Sequence, residues 1–276
     1  MSNPKFSVLI SVYYKESASN LKDSLESIFF QTLLPSEVIL VEDGPLTPSL
    51  YSVIGEEVAK HPEIKIISFE KNRGLGLALR DGLTACSYEL VARMDSDDIS
   101  KPDRFEKEIG FLINHTEISV VGSWVDEFEK EVSNVISVRQ VPKTNMEIRS
   151  YARIRNPMNH PTVAFRKSDV INSGNYQNCP LFEDYFLWVR IMMGGFKLYN
   201  LQESLLYFRI TPESYKRRGG SQYLIKEFNF QRKLVQIKFI SFPIAVYNCI
   251  VRICIRLMPN KMRNVFYSKF LRASNK

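Results

Sequence analysis

The sequence predicts an α/β protein built on a doubly wound, mostly parallel sheet, with a basic helical tail at the C-terminal end. Three observations carry this expectation. Apolar runs of strand length alternate with helix-period segments through about residue 122, the pattern of βαβ units. The 276 residues are 45% hydrophobic and 24% charged, a globular composition that excludes disordered, collagenous and coiled-coil classes. Charge is uneven: Tyr215 to Lys276 carries fourteen Lys and Arg against one acid, Glu227, so the net +7 belongs to the tail and the preceding residues are net acidic.

Lys5 to Tyr14 (KFSVLISVYY) and Glu37 to Glu42 (EVILVE) are nearly continuous apolar runs, which suits strands buried on both faces. Between them Leu21, Leu25, Ile28 and Phe29 recur at helical spacing after the cap-like Ser19 and Asn20, completing a βαβ unit. Ile64 to Glu70 is the next strand, Leu75, Leu79 and Leu83 mark a helix, and Glu89 to Asp95 a fourth strand. A helix is predicted to open at Ser100, with Pro102 near its first position and Phe105, Ile109, Leu112 and Ile113 on its apolar face. Ile118 to Val141 reads as strands and turns, His160 to Ser168 as a strand, and Glu183 to Met193 as a helix. From Leu224 onward the tail reads as helix broken by Pro243 and Pro259. Residues 1–214 are expected to form the catalytic unit and 215–276 a membrane-associating tail.

Four cysteines (Cys86, Cys179, Cys249, Cys254) and three histidines are too scattered for a zinc framework or a disulfide scaffold, and read as small core or interface residues in a reduced, cytosolic setting. The N-terminus lacks the basic opening of a signal peptide.

In an open parallel sheet, ligands bind beyond the carboxyl ends of the strands. The polar residues there are Tyr13 to Glu16 after strand one, Glu42-Asp43-Gly44 after strand two, Lys71-Asn72-Arg73-Gly74 after strand three, and Asp95-Ser96-Asp97-Asp98 after strand four. Singly they have plain structural readings, Asp43-Gly44 as a turn, Asn72 and Gly74 as loop residues, Asp98 as a helix cap. Acids gathered at one sheet edge repel one another unless a cation or a donor-rich ligand compensates. Asp95 and Asp97, two apart, suit a shared hard divalent cation, Mg²⁺ or Mn²⁺, with positions left open for diphosphate oxygens. No P-loop, complete dinucleotide-binding glycine pattern or EF-hand loop is present. Glu183 and Asp184 open a helix, where acids also complement the helix dipole. His160 either meets a phosphate or begins a strand. Trp188 reads as a buried aromatic or an acceptor contact, and Arg209 with Lys216-Arg217-Arg218 as a diphosphate loop or solvated charge.

The chain resembles the family 2 glycosyltransferases. FSVLISVYYKES is similar to their opening strand and turn, SLESIFFQTLLPSEVILVEDGP to their helix and "VDDGS" strand, NRGLGLALRDGL to their "NxGxxxAxNxG" segment, and RMDSDDISKPDRFEKE to their "DxDD…PDR" segment. NHPTVAFRKS and EDYFLWVRIMMGG resemble a later strand and the "ED" helix. The resemblance implies a GT-A type fold and an inverting, metal-dependent transfer from a nucleotide sugar, UDP-glucose or UDP-galactose. It also implies a lipid-pyrophosphate-linked acceptor in O-antigen or capsule assembly. By position, Ser11, Tyr13 and Asp43 would line the uridine pocket, Asp95 and Asp97 would hold the metal, and Asp184 would be the general base. Glu16 and Asn72 join the nucleotide-sugar-binding set as strand-end residues. Glu42, Pro45, Tyr14 and Arg80 depart from the family's usual residues. The processive Q-x-x-R-W motif and long apolar spans are absent, which points to transfer of one sugar. The alternatives are a sugar nucleotidyltransferase, disfavoured because no Gly-rich basic loop follows strand one, and a non-enzymatic membrane-associated scaffold.

Phe239 to Val251 is uncharged and is followed by Arg252, Arg256, Lys261 and Arg263. That run is too short to span a bilayer and suits a helix lying on an anionic cytoplasmic leaflet. No nucleic-acid recognition motif competes for the same charge. A peripheral location on the inner face of the cell membrane follows.

Overall fold

The computed structural model describes residues 3–211 and 221–257. Lys216 to Gly220, Pro259, Lys261 and Arg263 lie outside them. Four strands, β1 (Phe6–Val12), β2 (Glu37–Glu42), β3 (Ile64–Ser68) and β4 (Leu90–Asp95), pair in parallel in the order β3-β2-β1-β4. The sheet continues through β8 (Ala164–Arg166, antiparallel to both neighbours), β6 (Ile118–Phe128), β9 (Lys197–Arg209) and the two-residue β5 (Ile99–Ser100), while β7 (Val135–Arg139) pairs with β6.

Alternate residues of each strand feed opposite layers. Val8, Ile10 and Leu40 pack with α1 (Ala18–Phe29), α2 (Pro48–Lys60) and α4 (Arg104–Asn114) through Leu25, Leu50 and Ile109. Leu9, Ile39 and Val41 face α3 (Leu75–Ala85) and α7 (Glu183–Met193). Helices on both faces explain why β1 and β2 are apolar almost without interruption.

Several predicted bounds are corrected. Ser100 does not open a helix: Ile99 and Ser100 pair with Tyr207 and Leu206 of β9, and α4 starts at Arg104. The expected His160–Ser168 strand is shortened to Ala164–Arg166; Pro161, lacking an N–H, sits in a 3₁₀ turn over His160–Thr162 instead of an interior strand. Ser17 is the N-cap residue of α1, and Ser19 and Asn20 fall inside its first turn. The tail's helix is interrupted just ahead of Pro243, between Gln236 and Phe242, and Pro243 sits in the first turn of the second helix, where a missing N–H goes unnoticed. α2, β9, α5 (Asn145–Tyr151) and α6 (Lys167–Asn172) were not foreseen.

The first half of the tail packs on the core. α8 (Ser221–Gln236) buries Phe230 and Leu234, with Phe230 stacked on Phe182 at 4.5 Å between ring centres. α9 (Phe242–Leu257) is joined to α8 by Arg252 on the buried Glu227 at 2.8 Å and by Asn248 donating to Gln231 at 3.0 Å. Phe242, Val246, Tyr247, Ile250 and Ile253 of α9 stay exposed. Among the described residues no helix is long and apolar enough to cross a membrane.

Candidate active site

β1 lies between β2 and β4, so the chain reverses its winding direction there and leaves a crevice at the carboxyl ends. A cavity of about 440 Å³ occupies it, lined among others by Ser11, Tyr13, Glu16, Asp43, Asn72, Asp95, Asp97 and Asp184, with His160 and Arg209. The residues assigned to nucleotide, metal and base roles therefore line one cavity.

Ser11 is directly opposite Asp95 in the β1–β4 register. Tyr13 follows β1, its ring edge-on to the half-exposed Tyr14 at 5.9 Å. Glu16 accepts from the Ser17 N–H at 2.8 Å and from Ser96 Oγ at 3.1 Å, linking the turn after β1 to the acid loop. Asp43 is buried, and its carboxylate accepts from the backbone N–H groups of Arg73 (2.7 Å) and Gly74 (2.9 Å) and from the Asn72 amide (3.0 Å). Asn72 thus helps fix Asp43. The loop closes against Gly44 (φ +88), where any Cβ would lie 2.5 Å from the Asn72 nitrogen, so only glycine fits.

Carboxylate oxygens of Asp95, Asp97 and Asp98 lie within 4.8 Å of one another. Asp98 caps no helix: it is fully buried, accepts the Arg209 N–H at 2.9 Å and leaves Oδ2 without a partner. Burial, then the charges of Asp97 and Asp95, push its pKa well above the usual carboxylate value. Three crowded acids with an orphaned buried oxygen are what a hard divalent cation satisfies, so these side chains fit such an ion.

The loop is braced from below and from the side. Arg93, buried inside β4, donates to Asp95, while its Nε and Nη1 lack partners. Arg209, at the end of β9, donates from Nε to the Asp97 carbonyl (2.9 Å) and from Nη2 to Asp23 (2.9 Å), clamping the loop at the cavity wall.

Glu183 and Asp184 stand at the N-terminus of α7 and line the same cavity. Asp184 accepts from the Asn156 amide at 2.6 Å; burial raises its pKa, and that hydrogen bond opposes the rise. Burial pushes Glu183 up to about 7. His160 shares a 2.9 Å hydrogen bond with the Tyr176 hydroxyl, and burial, then the Arg93 charge, drive its pKa well below the ordinary histidine value, so the ring is neutral at pH 7. Trp188 is a fully buried core residue outside the cavity lining.

Sequence reasoning missed Arg93, Asn156, Leu181 and Tyr223, and read Asp98 only as a strand-end residue suited to cap a helix. An arginine inside the apolar run LVARMD was a usable signal, since buried cations are rare and paired. Asn156 carried none, because only the fold brings it to α7.

Residues 7–174 match the family model described as glycosyl transferase family 2. The chain belongs to glycosyltransferase family 2. It is 40% identical over 98% of its length, and 97% of the relative's, to a protein of Escherichia coli named UDP-Gal:alpha-D-GlcNAc-diphosphoundecaprenol beta-1,3-galactosyltransferase. It is equally 40% identical, over 96% of this chain and 98% of the other, to an amylovoran biosynthesis glycosyltransferase of Erwinia amylovora. Among solved structures, the mannosyltransferase of Pyrobaculum calidifontis in complex with GDP-Man and Mn²⁺ superposes with TM-score 0.63 at 17% identity, covering 92% of this chain and 75% of that one. Residues 1–349 of TarS from S. aureus with UDP-GlcNAc give 0.63 at 16% identity, over 97% of this chain and 72% of that one. The fold is of the GT-A glycosyltransferase type.

Proposed function

We propose that this glycosyltransferase is an inverting, cation-dependent enzyme that moves one hexose from UDP-galactose or UDP-glucose to a lipid-diphosphate-linked sugar during assembly of a bacterial surface polysaccharide. The observation that carries the reading is the pairing, in one cavity, of an acid cluster at the strand ends with a hydrogen-bonded carboxylate, Asp184, at the head of α7. The names of two relatives that match over nearly their whole length support the polysaccharide setting and the diphosphate-linked acceptor.

The chemistry is a single in-line displacement at the anomeric carbon. Asp184 takes the proton of the acceptor hydroxyl as its oxygen bonds to C1, and the bond from C1 to the diphosphate oxygen breaks as the nucleoside diphosphate leaves. Burial favours the protonated carboxyl and so makes Asp184 a stronger base than a solvated carboxylate, while the Asn156 amide keeps it oriented. Tyr13, Ser11 and Asp43 form the nucleotide side, with Glu16 and Asn72 fixing the loops that carry it. Asp95 and Asp97, joined by Asp98, are the residues to hold Mn²⁺ or Mg²⁺, which when bound offsets charge on the departing diphosphate.

The net basic tail and the exposed apolar residues of α9 support peripheral attachment to an anionic cytoplasmic leaflet. The test is a panel of nucleotide sugars incubated with a diphosphate-lipid-linked N-acetylglucosamine, with Mn²⁺ or with EDTA. UDP-hexose turnover that EDTA abolishes is expected; full activity in EDTA removes the cation from the reading.

A further inference from the structure

Next to the catalytic cavity is a second one of about 420 Å³, with Pro180 and Phe182 on one wall and, on the other, the face of α8 that carries Lys226, Arg232 and Lys233. Lys226 and Lys233 are seven residues, about two turns, apart and so stand about 10 Å apart along the axis, with Arg232 next to Lys233. None of them makes an ion pair among the described residues; the acid of α8, Glu227, faces away and pairs with Arg252.

A thin partition separates the two cavities. Leu181 lines the catalytic one, Phe182 the other, and Glu183 and Asp184 follow immediately. Across from them, Tyr223 lines the catalytic cavity and Lys226, one helical turn later, the second; the Phe182 and Tyr223 rings meet edge-on at 5.8 Å. Leu181 holds φ +76, a conformation costly for a branched residue, at the point where the chain passes between them.

Charge decides what the second cavity takes. The catalytic cavity is walled by Glu16, Asp43, Asp95, Asp97, Glu183 and Asp184, and its cations Arg93 and Arg209 are engaged by Asp95 and Asp23. Among the described residues a diphosphate on the acceptor side finds no free counter-charge there, whereas across the Leu181–Phe182 partition the second cavity offers ammonium and guanidinium groups that make no ion pair, beside an apolar wall. Resting on the transferase reading above, we propose that the groove between Phe182 and α8 seats the diphosphate of the lipid-linked acceptor on Lys226, Arg232 and Lys233, so that the attached sugar reaches Asp184 past Leu181.

The experiment titrates the full chain with decyl diphosphate in EDTA, with decanol as the uncharged control, and repeats it for Lys226→Ala/Arg232→Ala. Both side chains are exposed, so the fold is spared, as an unchanged melting temperature verifies; Lys233, which lies over the Phe186 ring, is left in place. Decyl diphosphate affinity is expected to fall at least about 10-fold while decanol is unaffected, as for loss of charge-assisted contacts. In turnover, KM for a diphosphate-linked acceptor rises by a similar factor, with kcat and donor KM unchanged. Equal affinity of wild type and variant for decyl diphosphate overturns the proposal. So does a variant that loses binding to phosphatidylglycerol vesicles but not to decyl diphosphate, because the cations then serve the bilayer. Decyl diphosphate binding that the variant weakens, together with no sugar transfer to any diphosphate-linked acceptor, upholds the groove as a diphosphate site and sinks the transferase reading instead.

Discussion

Among the described residues Asp184 has one side-chain donor, the Asn156 amide, and that contact yields two measurable consequences. Asp184→Asn is nearly isosteric, so UDP and cation affinity stay within a few fold, while turnover falls by about 10² to 10⁴, the cost of a lost general base, or roughly 3 to 5 kcal/mol at the barrier. Retention of more than about a tenth of the activity would assign the proton transfer elsewhere. Because the amide favours the charged carboxylate and burial opposes it, Asn156→Ala raises the Asp184 pKa further. The acid limb of kcat against pH then moves to higher pH; an unmoved limb means that Asp184 does not set it. Glu183 behaves differently. Helix-dipole complementarity would leave it solvated, yet it lines the cavity and burial pushes it up to about 7. A carboxyl whose folded pKa lies above its unfolded value of 4.5 stabilises the protein below that value and loses the contribution as pH rises through 7, by at most about 3 kcal/mol. Glu183→Gln therefore melts higher than wild type at pH 8, with the difference fading toward pH 5. A constant offset across that range removes the buried-charge explanation.

Elements legible in the sequence were those whose partners are local. β1, β2, α3 and α7 follow from apolar periodicity alone, and their strand ends gave the site. α2 carries the same kind of signal, since Thr47 and Pro48 open it and Leu50 and Ile54 face the core. β5 and β9 were not legible, because Ile99 and Ser100 become a strand only through residues more than a hundred positions later. That pairing also turned Asp98 from an apparent cap into a buried member of the acid cluster: the β4–β5 connection is pinned at both ends, and Arg209 closes it. The element carries its own prediction. Asp98→Asn removes one of three crowded charges, so it is expected to melt higher than wild type in EDTA and to gain less from added Mn²⁺. A variant that melts lower in EDTA and gains as much from Mn²⁺ shows that Asp98 serves the Arg209 contact alone.

For the molecule as a whole, the question is how the chain would meet the lipid-linked acceptor proposed for it. The sequence divides at the charge boundary near Tyr215, but the packing does not follow that boundary. Phe230 and Leu234 of α8 belong to the same core cluster as Phe182 and Trp188, and removing everything after residue 214 would open that core. The informative cut lies later, after Leu257, where it takes five of the tail's cations (Lys261, Arg263, Lys269, Arg272 and Lys276) and leaves α8 and α9 packed. Attraction to an anionic surface is about 1 kcal/mol per Lys or Arg near it and is screened by salt. Full-length protein is therefore expected to bind phosphatidylglycerol vesicles tightly at low salt and weakly at high salt, and the chain ending at Leu257 to bind more than about 10-fold less tightly. In the attachment proposed above, charge would supply reach and the apolar face of α9 depth. Phe242 and Ile250, 70% and 55% exposed, each gain up to about 1.5 to 3 kcal/mol on full burial. Phe242→Ser/Ile250→Ser consequently retains the salt-sensitive first encounter but loses the salt-resistant fraction that remains on vesicles after a high-salt wash. Wild type released completely by that wash would reduce the attachment to electrostatics, and a double variant washed off no faster than wild type would place the inserted surface somewhere other than α9.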